Sequence, residues 1–169
     1  PTAYPRLVDR LLASPQFGVR WGRHWLDVAG YAETDGGSVD REANRAHAWR
    51  YRDYVIEAFN TNKPVDVFLR EQLAGDEMID GPLEVDNPRQ RELLTATGFL
   101  RMAPDGTQAN NSLTDRNAVV ADAIQVVSSS VLGLTVGCAQ CHDHKYDPIG
   151  IVDYYRFRAV FDPVFPLYH

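Results

Sequence analysis

An all-α chain is what the sequence predicts, and three observations predict it. Apolar residues recur at helical spacing in stretch after stretch, two stretches open on Ser-Pro or Asn-Pro and two others close on Gly, and no run alternates apolar with polar residues over the length of a strand. The 169 residues, 44% hydrophobic and 24% charged, suffice for one domain with a core. The expectation is a single compact domain over residues 1–169, of about six to seven helices with no substantial sheet. A formal net charge of −6 disfavours nucleic acid as a partner, and no apolar run is long enough for direct membrane insertion.

The first helix is expected from about Tyr4 to Ala13, where Leu7, Val8, Leu11 and Leu12 share one side. Ser14-Pro15 then reads as a cap followed by proline at the first helical position. The helix it starts carries Phe17, Trp21, Trp25, Val28 and Ala32 on one face, with His24 among them. Glu33 to Asp40 is loop by composition, and its acids do not have the spacing of a calcium-binding loop. A third helix, about Ala46 to Phe59, places Tyr51, Tyr54, Val55, Ala58 and Phe59 in an amphipathic stripe headed by His47.

Val65 to Ala74 reads as a shorter helix closed by Gly75, and Asp76 to Asp86 as acidic loop. Asn87-Pro88 repeats the cap and proline and opens a fifth helix running toward Met102. Pro104 to Asn111 is polar loop; Ser112 caps the longest helix, whose stripe of Val120, Ala123, Ile124, Val127 and Val131 ends at Gly133. Asp153 can cap a last helix that holds Tyr154, Tyr155, Phe157 and Phe161.

Between the last two helices stands the most specific stretch, Gly137-Cys138-Ala139-Gln140-Cys141-His142. It contains both cysteines of the chain and has the C-x-x-C-H spacing of a c-type haem attachment site. Two thiols three residues apart can add to the two vinyl groups of one porphyrin, and the following imidazole can then bind the iron. The expected cofactor is one covalent haem c per chain, with Cys138 and Cys141 as thioethers and His142 as proximal ligand. Two rival readings are a structural zinc clip built from Cys138, Cys141, His142 and His144, and a redox dithiol or plain disulfide. The first lacks a second C-x-x-C; the second wants a strand before it and a helix N-terminus behind, and although Gly133 to Gly137 could be extended, no βαβ pattern surrounds it.

No Met follows His142, so a sixth iron ligand has to come from upstream or be missing. His144, two residues on, reaches roughly 7 Å at most and cannot pass to the opposite face of the porphyrin. The candidates in order are His24, Met102 and His47, with Met78 in an acidic loop behind them. Arg20, Arg23, His144 and Lys145 are candidate partners for the haem propionates, because a charged donor strengthens a bond to a carboxylate. The expected function is extracytoplasmic electron transfer by a helical domain folded around the haem, with a redox partner protein or another haem domain of the same parent protein as its partner. The alternatives are a five-coordinate haem domain with peroxidase or gas-binding activity, and a zinc-clip interaction module.

Five segments also carry a family resemblance. Arg6 to Pro15 (RLVDRLLASP), Trp21 to Asp27 (WGRHWLD), Ala48 to Tyr54 (AWRYRDY), Arg70 to Asp76 (REQLAGD) and Gly133 to Ile149 (GLTVGCAQCHDHKYDPI) resemble the planctomycete-type cytochrome domain, the second of the planctomycete cytochrome domains. The resemblance implies a domain of a large exported multidomain protein that carries a c-type haem, and hence a periplasmic or cell-surface location. The chain opens on Pro1-Thr2-Ala3-Tyr4, already helical in pattern, so an excised domain with its export signal upstream is expected. Two departures are the family's usual N-terminal segment, absent here, and Gly30, where members often have Arg.

Overall fold

The computed structural model describes residues 2–34, 44–84, 86–102 and 113–165. Apart from an isolated antiparallel bridge between Thr34 and Asn44, their regular structure is helical: α1 (Ala3–Leu12), α2 (Gln16–Val28), α3 (Ala48–Asn60), α4 (Val65–Ala74), α5 (Pro88–Ala96), α6 (Leu113–Val127) and α7 (Ile151–Phe161), with short 3₁₀ and π turns. The all-α expectation therefore holds for the described residues. They fall into two compact units, the first Pro1–Asp27 with Ala46–Phe99 and the second Val28–Arg45 with Leu100–His169. The proposed cap Ser112, the polar loop Pro104 to Asn111 and most of the acidic loop Glu33 to Asp40 lie outside the described residues.

In the first unit the helix starts follow the sequence signals. Ser14 Oγ accepts from the Gln16 N–H at 3.3 Å, and the Asn87 side chain accepts from the N–H groups of Arg89 at 3.0 Å and Gln90 at 3.3 Å. These bonds satisfy helix donors that have no intrahelical partner. Asn87→Ala is expected to cost about 1 kcal/mol of stability, read from the midpoint of urea unfolding.

α3 buries Tyr51, Tyr54, Val55 and Ala58 of the stripe its period predicts, and Ala48 with them, while Phe59 is half-buried. α2 does not bury the face its aromatic residues predict. Gly18, Gly22 and Leu26 are its buried residues, while Trp21 and Val28 are about half exposed and His24 is exposed. The reason is steric: a Cβ at Gly18 would stand 2.3 Å from the Ile56 carbonyl oxygen, so the glycine face lets the α2 and α3 backbones approach where an aromatic face cannot. α1 buries none of its residues, and Tyr4, Leu7, Leu11 and Leu12 remain exposed.

Gly75 follows α4 as expected but is not a left-handed cap; its φ of −62° and ψ of −34° are right-handed, and the chain continues into a 3₁₀ turn at Asp76–Met78. Its lack of a side chain serves packing, since a Cβ there would stand 2.4 Å from the Leu93 carbonyl oxygen of α5.

The core of this unit is aromatic. Trp25 meets Phe68 edge-on at 5.0 Å and stacks on Phe99 at 5.6 Å, and Tyr54 stacks on Phe68 at 5.9 Å. Their polar tips are satisfied inside the core: Trp25 donates to Tyr51 Oη at 3.0 Å and Gln72 Oε1 at 2.9 Å, and Tyr51 donates to Gln72 Oε1 at 2.5 Å. Beside them the fully buried Glu71 accepts from Lys63 at 2.5 Å, Arg89 at 2.6 Å and Tyr54 at 2.8 Å. Lys63 and Arg89 also bond Glu92, at 2.6 and 2.7 Å, so two acids answer two bases. Burial, reinforced by Glu71, pushes the Tyr54 phenol far above its ordinary range.

In the second unit α6 buries Val119, Val120, Ala123, Ile124 and Val127. The stripe expected to reach Val131 stops earlier, because Ser128–Leu132 forms a π turn. Ser128, Ser129 and Ser130 donate their hydroxyls to carbonyls three or four residues back, which loosens the regular α ladder there. Gly133 ends the segment with a φ of +65°. Arg116 of α6 donates to the carbonyls of Asp162 and Phe165, both at 2.6 Å, tying α6 to the C-terminal end of α7. Asp153 sits three residues into α7, not ahead of it, and accepts from the Gly150 N–H at 3.0 Å.

Candidate functional site

Cys138 lies in a 3₁₀ turn, Val136–Gln140, that Gly133 directs off the end of α6. A 3₁₀ turn has three residues per turn, so side chains three apart share a face. Val136 and Ala139 are that pair on the inner face, both buried. Cys138 and, one residue past the turn, Cys141 are both exposed with free thiols. The turn is held close to the body of the unit. A Cβ at Gly137 would stand 2.3 Å from Gln125 Oε1 on α6, and Tyr155 of α7 donates to the Gln140 carbonyl at 3.4 Å.

His142 and His144 have opposite arrangements. His142 is exposed, and its Nδ1 lies 2.7 Å from the Asp143 carbonyl oxygen. A carbonyl can only accept, so Nδ1 carries the hydrogen, and the neutral ring presents its lone pair at Nε2. Nε2 makes no hydrogen bond among the described residues.

The His144 side chain is only 6% exposed and uses both nitrogens. Nδ1 accepts from the N–H groups of Tyr146 at 3.2 Å and Asp147 at 2.8 Å, so Nε2 carries the hydrogen and donates to Thr135 Oγ1 at 2.9 Å. Asp147 Oδ2 is also 3.5 Å from Nδ1. His144 thus clamps the chain after the motif to the residue before it. A zinc atom or a propionate would have to displace these bonds to use it. Among the described residues no group of three or more His, Cys, Asp or Glu side chains is disposed to hold a metal ion.

Tyr154 stands behind the motif. It is fully buried, one residue before the Tyr155 that touches Gln140, and its Oη has no hydrogen-bond partner among the described residues. Arg158, one helical turn further along α7, is a polar neighbour of this hydroxyl. Burial pushes the phenol pKa up; Arg158 opposes this, although its guanidinium is directed to Asn117 Oδ1 and, at 3.5 Å, to Asp162 Oδ1. Sequence periodicity places Tyr154 on the inner face of its helix but carries no sign of the unmet hydroxyl. Thr135 and Asp143 are likewise beyond its reach, since their partners lie in irregular chain.

The remaining predicted residues divide between the units. Lys145 is exposed in the second unit, its Nζ 5.1 Å from the Tyr146 ring centroid. Met102 is buried in that unit, and its carbonyl accepts from Arg45 at 2.7 Å. Arg20, Arg23 and His24 belong to the first unit and are exposed; Arg23 pairs with Asp27 at 2.9 Å, and the His24 ring lies 5.4 Å from Trp21. His47, expected near the interior, is exposed at the start of α3, and Met78 is 38% exposed. The first unit also has an apolar cavity of about 160 Å³ walled by Trp25, Phe59, Val65 and Phe68. Its only charged lining group, Lys63, is already neutralised by Glu71 and Glu92, so the cavity offers no free polar handle. No helix of the described residues is long and apolar enough to cross a membrane.

A family model, PSCyt2, described as a protein of unknown function (DUF1549), matches residues 1–165. It is the planctomycete cytochrome domain family that the five sequence segments resemble. No curated protein and no solved structure matches the chain.

Proposed function

We propose, for a chain that belongs to the PSCyt2 family of unknown function, that it is a monohaem c-type cytochrome domain serving electron transfer outside the cytoplasm. The observation that carries this reading is the local geometry of the motif: two exposed free thiols, one in a 3₁₀ turn and one just past its end, followed by an imidazole whose Nδ1–H is committed to a backbone carbonyl and whose Nε2 makes no hydrogen bond among the described residues. A carbonyl on the far nitrogen is the arrangement that fixes a metal-binding histidine in the correct tautomer and raises its basicity.

When bound, the haem supplies a one-electron iron couple. Cys138 and Cys141 would hold it as thioethers. Each thiol adds across a vinyl double bond, sulfur to the inner carbon and hydrogen to the terminal one, so attachment needs no oxidant. His142 Nε2 would ligate the iron, and Asp143, through its carbonyl, keeps that ring oriented. The His144–Thr135 clamp ties the two ends of the motif turn together and would keep the residues that hold the haem in a fixed arrangement. No protein nucleophile is required, and the partner is a redox protein or a further haem domain. For the sixth position, Met102 is buried in the unit that holds the motif, whereas His24 is exposed in the other.

The test is a reduced-minus-oxidised absorption spectrum of protein matured in an exporting host. The expected result is a c-type α band and haem that stays with the polypeptide under denaturing conditions. Colourless protein with both sulfurs free or bound to zinc overturns the reading. Carbon monoxide or cyanide binding to the reduced or oxidised protein separates an open iron, suited to peroxidase or gas-binding chemistry, from a six-coordinate electron carrier.

A further inference from the structure

In the second unit α7 is apolar on two sides, of which the described fold buries one. Tyr154 and Phe161, seven residues apart, form the buried face. Val152, Tyr155 and Ala159, at i, i+3 and i+7, form a second stripe on the outside, where Val152 is 57% and Tyr155 51% exposed and Ala159 is exposed with them. A helix face that meets only water ordinarily carries polar residues. This stripe starts at the cysteine motif. The Ile151 N–H, next to Val152, donates to Asp143 Oδ1 at 2.8 Å, one residue past His142, and the Tyr155 hydroxyl donates to the carbonyl of Gln140, which directly precedes Cys141. The inner side of the motif turn is closed, because Val136 and Ala139 are packed into the unit. Whatever the exposed thiols hold therefore lies on their own, solvent side.

We infer that the outer stripe of α7, Val152, Tyr155 and Ala159, is a wall of the haem seat, against which the porphyrin ring lies. This rests on the cytochrome reading above and adds to it side chains that meet the apolar body of the cofactor, not its iron or its propionates. A porphyrin is broader than a single turn of chain, so a ring fastened at Cys138 and Cys141 covers part of the surface beside them. The outer stripe is apolar surface joined to the motif by a direct contact, the Tyr155 bond to Gln140. Seating the ring there takes one porphyrin face and the exposed Val152 and Tyr155 side chains out of water together, the direction in which apolar surface gains free energy.

Tyrosine nitration by tetranitromethane, read by peptide mass spectrometry, tests the seat directly. The haem-free reference is Cys138→Ser/Cys141→Ser, which has no thiol for the reagent to oxidise, and an added tyrosine peptide calibrates the reagent in each sample. Tyr155 is expected to be nitrated in the reference and to lose most of that nitration in haem-loaded wild type. A second measurement uses Val152→Ser/Tyr155→Ser. Without haem this variant is expected to melt with the wild type, since both side chains are exposed. Loaded with haem it is expected to have a lower midpoint potential than the wild type, because water admitted to the porphyrin favours the more highly charged ferric state. Equal nitration of Tyr155 with and without haem, or an unchanged potential in the serine variant, overturns the inference and leaves the cytochrome reading standing. A lower Tm in the haem-free serine variant overturns it too, because the stripe is then packed within the protein itself. Wild-type protein that takes no haem at all overturns both.

Discussion

Exchanging both motif cysteines for serine (C138S/C141S) is expected to abolish covalent haem while leaving the stability of the haem-free protein within about 0.5 kcal/mol of the wild type. The two halves of this expectation have separate physical grounds. Both thiols are exposed and free, so neither closes a loop nor fills the core. The turn that carries them is anchored by other residues: Val136 and Ala139 are buried, and His144 clamps to Thr135. A serine hydroxyl matches the size of a thiol but does not add to a vinyl group, so attachment disappears and the turn stays. His142→Ala isolates the other function of the motif, retaining the thioethers but losing the proximal nitrogen, with a changed coordination spectrum. Thermal melts of the haem-free proteins and a haem stain on a denaturing gel measure the two effects. A zinc clip or a structural disulfide predicts the reverse pattern, a large loss of stability with no pigment to lose.

What the sequence disclosed about this fold depended on how local its determinants were. Helix starts such as Asn87-Pro88 were legible because a cap and a fixed φ act within four residues. The inner stripe of α3 was legible because its period is unbroken. The buried face of α2 was not, since Gly18 and Gly22 count as weak signals in a hydrophobic pattern yet decide how near α3 can come. The end of α6 misleads for a related reason: three serines bonding back to the helix convert its last residues to a π turn and change the phase of the stripe. At the motif, the residue types and spacing of Cys138, Cys141 and His142 could be read directly. The tautomers of His142 and His144, and the unpaired Tyr154 hydroxyl, depend on partners that no spacing rule supplies.

The largest loss of stability is expected from the first unit, at Glu71. Its carboxylate is 1% exposed and receives three donors, from Lys63, Arg89 and Tyr54. Glu71→Ala leaves the Lys63 ammonium, 13% exposed, with Glu92 alone and leaves the Tyr54 hydroxyl without an acceptor. Breaking one side of a buried ion pair costs about 3–5 kcal/mol, against the 0–1 kcal/mol of an exposed pair such as Arg70 with Asp66. Arg89 is 48% exposed and can regain water, which places the expected loss toward the lower end, about 3 kcal/mol. The same site sets an acid limit. Burial alone would raise the Glu71 pKa, but hydrogen bonds from Lys63, Arg89 and Tyr54 outweigh it and hold the carboxyl below its ordinary range; Glu92 is held down in the same way by Lys63 and Arg89. For a carboxylate depressed in the folded state, the stabilisation is fully present above the unfolded pKa of about 4.3 and is lost as pH falls through the folded value. Wild-type stability is therefore expected to fall on acidification below about pH 4, while Glu71→Ala, already lacking the interaction, falls less steeply over the same range. All three tryptophans, Trp21, Trp25 and Trp49, lie in the first unit, so urea unfolding followed by tryptophan fluorescence is read from the unit that holds Glu71. Equal acid sensitivity in the two proteins would show that Glu71 does not set the limit.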